Sequence, residues 1–221
     1  MKIIVKDQLW QVGGGGLTDE TDAAVYLVRF GDKAALIDAG TGMYHATLTK
    51  HIAQALEPRV IIEYLFLSHC HFDHTGGAAA VQRDYGCRIV AHELDAIYLE
   101  RGDDAVTAAS WYGKHLEPFF VDWKLQSDRI EIPVGHGTIT TIHCPGHSPG
   151  SLVFTAQIQD KLILFGQDVH GPIDASLLSD ETLYRRSLQK LLKLDADLLL
   201  EGHYGIIQPK NEVAKFIRSF L

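Results

Sequence analysis

The chain has 221 residues, 46% of them hydrophobic, and a formal net charge of −8. That length suits one medium domain with a substantial core, and the acidic balance argues against a nucleic-acid surface, which needs a basic stripe. No apolar run approaches the ~20 residues of a membrane span, and Met1-Lys2-Ile3-Ile4-Val5-Lys6 is too short and too charged for a signal sequence, so the expectation is a cytoplasmic protein with neither membrane nor nucleic-acid partners.

In chain order, residues 2–12 and 23–38 read as strands. Gly13-Gly14-Gly15-Gly16 between them lacks the spacing and following helix of a nucleotide loop. Residues 45–57 carry helical periodicity through Leu48, Ile52, Ala55 and Leu56, and stop before Pro58. A strand at 63–68 runs into His69-Cys70-His71-Phe72-Asp73-His74. Thr75 to Tyr85 reads as a helix closed by Gly86, and Cys87–Ala91 as a strand. From His92 to Ser127 the sequence looks helical and aromatic, with Tyr112, Leu116, Phe119, Phe120 and Trp123 at helical spacing and Pro118 restarting the helix. This helical, aromatic-rich insertion at about 92–127 parts two similar halves; its aromatics suit packing on the body, a pocket wall or a homodimer surface. Strands follow near 129–133, 137–143, 151–157 and 161–166, then a helix at 180–193, a strand at 197–200 and a helix at about 210–220.

The hexapeptide from His69 to His74 carries the chemistry. In extended chain His69 and His71 point the same way, so two imidazoles meet one ion, and Asp73 and His74 follow where the chain must turn. Cys70 points away from them, and Cys70, Cys87 and Cys144 form neither a CxxC pair nor a disulfide framework, which suits a reducing compartment. A two-metal site needs about seven or eight donors. Three further candidates each follow a strand-like run and are flanked by glycine: His147 in Pro145-Gly146-His147-Ser148, Asp168 in Gly166-Gln167-Asp168, and His203 in Gly202-His203.

These motifs, with Leu36-Ile37-Asp38-Ala39-Gly40 upstream, resemble the metallo-β-lactamase-fold superfamily over nearly the whole chain. The resemblance implies an α/β fold, a four-layer αββα sandwich with metals at one edge of its sheets. It implies that His69, His71 and His147 hold one metal, that Asp73, His74 and His203 hold a second, that Asp168 bridges, and that Asp38 orients the metal loop. These donor types are those of the glyoxalase II, lactonase and ribonuclease Z branches; β-lactamases of the fold usually carry Cys or Ser at the bridging position, and flavodiiron proteins Glu at that of His71. Two divalent ions, zinc foremost with Fe or Mn as alternatives, would share a water and lower its pKa toward about 7.

The expected function is therefore a dinuclear metal-dependent hydrolase of a small thioester, lactone or related ester, acting through a hydroxide shared by the metals. Asp73 and Asp168 are its candidate catalytic residues, with Asp73 or a metal-bound water returning the proton to the leaving group. An iron-dependent oxidoreductase such as a persulfide dioxygenase is the alternative, because the ligands suit Fe as well as Zn. A phosphodiesterase is disfavoured by the charge, and a non-catalytic metabolite sensor by the full ligand set. Trp111, Tyr112, Phe119, His170 and Tyr204 are the candidate substrate-pocket residues.

Overall fold

Neighbouring residues along the strands pack into different cores, and this alternation makes the molecule layered. The computed structural model describes residues 1–221. β1 (Lys2–Val5), β2 (Leu9–Gly13), β3 (Val25–Phe30), β4 (Lys33–Ile37), β5 (Ile61–Phe66), β6 (Arg88–His92) and β7 (Trp123–Leu125) form a seven-stranded sheet in sequence order. Pairing is antiparallel from β1 to β4 and parallel from β4 to β7. Parallel neighbours need crossovers, and these run through α1 (His45–Ala55), then α2 (Phe72–Thr75) and α3 (Ala78–Tyr85), then α4 (Glu93–Arg101).

The second sheet contains β8 (Arg129–Val134), β9 (Gly137–His143), β10 (Leu152–Ile158), β11 (Lys161–Phe165), β12 (Leu198–Glu201) and β13 (Gly205–Ile207), ordered β13-β12-β11-β10-β9-β8. Only β11 and β12 pair in parallel, and α5 (Glu181–Leu194) crosses between them. α5 starts at Asp180, whose carboxylate accepts from Leu183 N at 2.8 Å. α6 (Lys210–Arg218) follows β13.

In β3, Val25 and Leu27 join Leu48, Ile52, Val81 and Leu99 in the core under α1, α3 and α4. Tyr26 and Val28 turn the other way and meet Ile139, Phe154, Phe165 and Leu200 between the sheets. In β12, Leu199 packs with Tyr184, Leu188 and Leu191 of α5, while Leu198 and Leu200 face the inter-sheet core. The layers are helix, sheet, sheet, helix: the expected αββα sandwich. No helix is long and apolar enough to cross a membrane.

Several sequence expectations are revised. The strand read over 2–12 is the hairpin β1–β2, turning at Asp7 with φ 61°, and 23–38 is the hairpin β3–β4. Both turns are too short to interrupt an apolar pattern. The helix read from Thr75 to Tyr85 is two helices, parted where Gly76 and Gly77 press against the backbone of Thr41 and Ala39. The stretch 92–127 is not a helical insertion. Its only α-helix is α4; Ala109–Tyr112 is a short 3₁₀ turn, and Trp123–Leu125 is the edge strand β7. Pro118 removes a backbone donor, and β6 offers β7 a free edge.

Phe154 is fully buried, with its ring 5.5 Å from that of Phe66 between the sheets. Phe154→Ala should lower the unfolding free energy by about 3–5 kcal/mol, measured by chemical denaturation. A loss under about 1 kcal/mol would show that the sheets do not depend on this contact.

Candidate metal centre

Parallel pairing sets the location of the centre. Parallel strands end at the same edge. β4 and β5 therefore deliver Asp38 and the loop 67–74 to one edge, and β11 and β12 deliver Asp168 and His203 to it. His147 arrives on the turn between β9 and β10. Backbone bonds stitch the loops together: Ala39 N to His74 O at 2.8 Å, Ala23 N to Asp73 O at 3.2 Å, and Ala24 N to Gly202 O at 2.7 Å. Gly202 is needed for contact, since a Cβ there would lie 2.4 Å from Asp168 Oδ1.

All seven candidate donors meet. His69 Nε2 lies 3.0 Å from His71 Nδ1 and 3.2 Å from His147 Nε2. His203 Nε2 lies 3.2 Å from Asp73 Oδ2 and 3.4 Å from Asp168 Oδ2. Asp168 stands between the groups, its Oδ1 3.1 Å from His74 Nε2 and its Oδ2 3.5 Å from His147 Nε2. Six of the seven are buried; the ring of His203 is partly open.

The ring tautomers follow from outer partners that can only accept. His74 Nδ1 donates to Asp38 Oδ2 at 2.7 Å, and His147 Nδ1 to Pro172 O at 2.8 Å. The Ser68 hydroxyl gives its one hydrogen to Asp38 Oδ2 at 2.7 Å and so accepts from His69 Nδ1 at 2.9 Å. In the neutral rings, Nε2 of His69, His74 and His147 then aims a lone pair inward. Asp38 makes these contacts from a left-handed backbone, φ 62°, and Gln167 before Asp168 is left-handed too, φ 44°; such strain is typical of positions whose side chains must be aimed.

The donors fit divalent metal. An ion bonded tetrahedrally at about 2.0–2.1 Å holds its donors about 3.3 Å apart, close to the separations of the three histidines. His74 Nε2 and Asp168 Oδ1 are buried and close, yet make no hydrogen bond, as two donors to a common ion would.

The two halves differ in charge. Burial, reinforced by neighbouring imidazoles, holds His69 well below the usual histidine range, pushes His71 down to about 3 and lowers His147. Burial also disfavours protonation of His74, but Asp168, Asp73 and Asp38 outweigh it and hold that ring well above its usual value. For His203, burial is outweighed by hydrogen bonds to Asp168 and Asp73, which push it up to about 10. Burial likewise opposes ionisation of Asp168 and Asp73, but His74 and His203 keep both lowered.

A cavity of about 220 Å³ opens over the donors, lined by His71, Asp73, Ala108, Trp111, Tyr112, Asp168, His170, Pro172, Leu177 and His203. Trp111, Tyr112 and His170 thus occupy the expected wall. Phe119 does not: it is 8% exposed and packs in the core with Leu116 and Val121, because the helix that was to present it does not form. Tyr204 also lies outside this wall; it is 61% exposed, lines a second hollow, and its ring sits 5.1 Å from that of His170.

Three supporting residues escaped the sequence reading. Asp95, in the first turn of α4, accepts from Cys70 N at 2.9 Å, Ser148 Oγ at 2.5 Å and Gly150 N at 2.6 Å, tying the two histidine loops together. Ser68 links Asp38 to His69. Glu201 is fully buried and accepts from His203 N at 2.7 Å and His170 Nδ1 at 2.8 Å. Only Glu201, beside Gly202-His203, carried a local signal.

A family model described as the metallo-beta-lactamase superfamily matches residues 18–203. An acyl-coenzyme A thioesterase MBLAC2 from Gallus gallus is 30% identical over 212 residues, covering 83% of this chain and 73% of that protein. A lactamase-like protein vrtG from Penicillium aethiopicum is 26% identical over 206 residues, covering 89% of this chain; the match spans 56% of that relative's length. Among solved structures, a metallo-beta-lactamase from Cronobacter sakazakii superposes with TM-score 0.79 at 22% identity, covering 100% of this chain and 94% of that one.

The charge asymmetry makes metal uptake proton-coupled. At pH 7.5 His74 and His203 hold protons that an ion must displace, whereas His69, His71 and His147 are already neutral. Filling the cluster of Asp73, His74 and His203 should release protons, and filling the three-histidine cluster should not. The share of the release that comes from His203 should disappear as pH rises through about 10, where that ring loses its proton in the metal-free protein. Calorimetry in buffers of different ionisation enthalpy reads this directly; zero release for every ion bound at pH 7.5 would contradict the assignment.

Proposed function

The chain belongs to the metallo-beta-lactamase superfamily and is a metal-dependent hydrolase; from that premise we propose that it cleaves a thioester or lactone at a two-metal centre. His69, His71 and His147 would hold the first ion and Asp73, His74 and His203 the second, with Asp168 placed to serve both, and zinc suits this N/O donor set. Two such ions, when bound, would supply a water acidic enough to attack at neutral pH and a Lewis acid for the substrate oxygen.

The observation that carries the reading is the cavity wall, which contains neither Lys nor Arg. A phosphodiester brings a fixed negative charge that wants such cations; a carbonyl substrate brings none. Trp111, Tyr112 and Leu177 give the wall an apolar face for an acyl group and exclude water. The Tyr112 phenol is kept un-ionised by burial and by the nearby charges of Asp73 and Asp168, so it offers a hydroxyl donor to the substrate. Asp73 belongs both to the metal cluster and to the wall, where it can pass a proton to the departing group. The thioesterase named among the relatives supports the same bond class.

With matched substrates, kcat/KM for the better of thioester and lactone should exceed that for a phosphodiester by about 100-fold, the scale of one missing charge-stabilising contact. The reverse order would overturn the reading, and O₂ consumption with a persulfide by the iron form alone would replace it with dioxygenation. Asp168→Ala should deplete both ions, whereas His147→Ala should retain about one, measured by elemental analysis; wild-type metal content in Asp168→Ala would remove its bridging role. Tyr112→Ala should raise KM more than it lowers kcat, as expected of a residue that holds substrate.

A further inference from the structure

His203 separates two hollows of opposite chemistry. One is the apolar-walled cavity over the donors. Across the same ring lies a second hollow, of about 270 Å³, lined by Gln11, Glu20, Asp22, His203 and Tyr204, with Lys2 at its edge. The loop between β2 and β3 builds much of its wall. Two of its side chains are more than nine-tenths buried, and each keeps one acceptor oxygen free. Gln11 is 8% exposed; its Nε2 donates to Gly13 O at 3.2 Å, and its Oε1 bonds to nothing. Asp22 is 7% exposed; its Oδ1 accepts from Thr41 N at 2.8 Å and Thr41 Oγ1 at 2.6 Å, and its Oδ2 bonds to nothing. Glu20 is held on the rim by Gly16 N at 2.9 Å. These free acceptor oxygens are accessible on residues that line the hollow, so an occupant that donates hydrogen bonds can satisfy them in place of water.

We propose that this hollow is the leaving-group subsite of the hydrolase, and that it takes an arm presenting amide N–H or cationic groups and rejects an anionic arm. The inference rests on the proposed carbonyl hydrolysis and adds the chemistry of the half that departs. The scissile carbonyl must lie over the donors, so the two halves of the substrate diverge across His203: acyl toward Trp111, Tyr112 and Leu177, the departing arm toward Gln11, Glu20 and Asp22. For a thioester, water adds to the acyl carbon, the C–S bond breaks, the thiol takes one proton, and the acid leaves as carboxylate with release of the second proton. Two carboxylates against one edge lysine oppose a negatively charged arm.

The test uses the full-length, metal-loaded protein and hexanoyl thioesters of N-acetylcysteamine, thiocholine and 3-mercaptopropionate, which carry a neutral amide, a cation and an anion. The first two should exceed the third in kcat/KM by about fivefold, the effect of one unit charge about 4 Å away through water. Glu20→Lys should abolish or invert that ratio and leave the hexanoyl-to-acetyl preference unchanged. Equal rates for all three arms, or a ratio that Glu20→Lys does not move, would overturn the subsite. The methyl thioethers of the same arms bind without turning over, and NMR titration gives their Kd order. If no thioester is hydrolysed but that order holds, the hydrolytic reading falls and the subsite stands; if the thioethers show no order, the subsite falls.

Discussion

Six buried donors and one half-open imidazole point at one another at the edge of two sheets, and two of their inward atoms have no hydrogen bond. His74 Nε2 and Asp168 Oδ1 are both buried and face each other without a hydrogen bond. Burying polar groups in this state is unfavourable unless something else completes them. Cations complete them, so the centre is an incomplete piece of structure as much as a reactive one. The loops that carry it must be held by forces outside the cluster.

Three buried carboxylates provide that hold, each from a different part of the fold. Asp38 aims His74 and, through Ser68, His69. Asp95 ties the backbone at Cys70 to Ser148 and Gly150. Glu201 fixes the backbone of His203 and the ring of His170. None has an arginine or lysine partner; each is stabilised by N–H and O–H donors on loops, so the charge serves as a multi-point anchor. The cooperative inter-sheet core beneath them sets the spacing of the strand ends from which the loops depart.

Charge is distributed unevenly over this scaffold. The three-histidine group is neutral without an ion, and the carboxylate-rich group is neutralised by protons on His74 and His203. The surroundings continue the pattern: an apolar wall with no lysine or arginine on one side of His203, and a polar, acidic hollow on the other. It is this distribution, more than the donors themselves, that supports the proposed choice of an uncharged carbonyl over a phosphate.

The donors were legible because their chemistry is local: His69 to His74 lie within six consecutive positions, and His147, Asp168 and His203 each follow an apolar run and sit beside glycine. The sandwich was legible because strand alternation survives in sequence, as in Val25 to Val28, even where hairpin turns were too short to see. The stretch 92–127 misled because aromatic spacing alone does not report whether the backbone is free to coil; Pro118 and the open edge of β6 turned it into irregular chain and a strand. Phe119 went with it into the core. Asp95, Ser68 and the second hollow depend on residues far apart in the chain, such as Gln11, Asp22 and His203, meeting in space. The sequence by itself determined which residues could bind metal and which faces would be buried, because both are set by residue type and short-range period. Only the tertiary structure decided how the donors are aimed and what surrounds them, because aiming depends on hydrogen bonds between loops that no local pattern encodes.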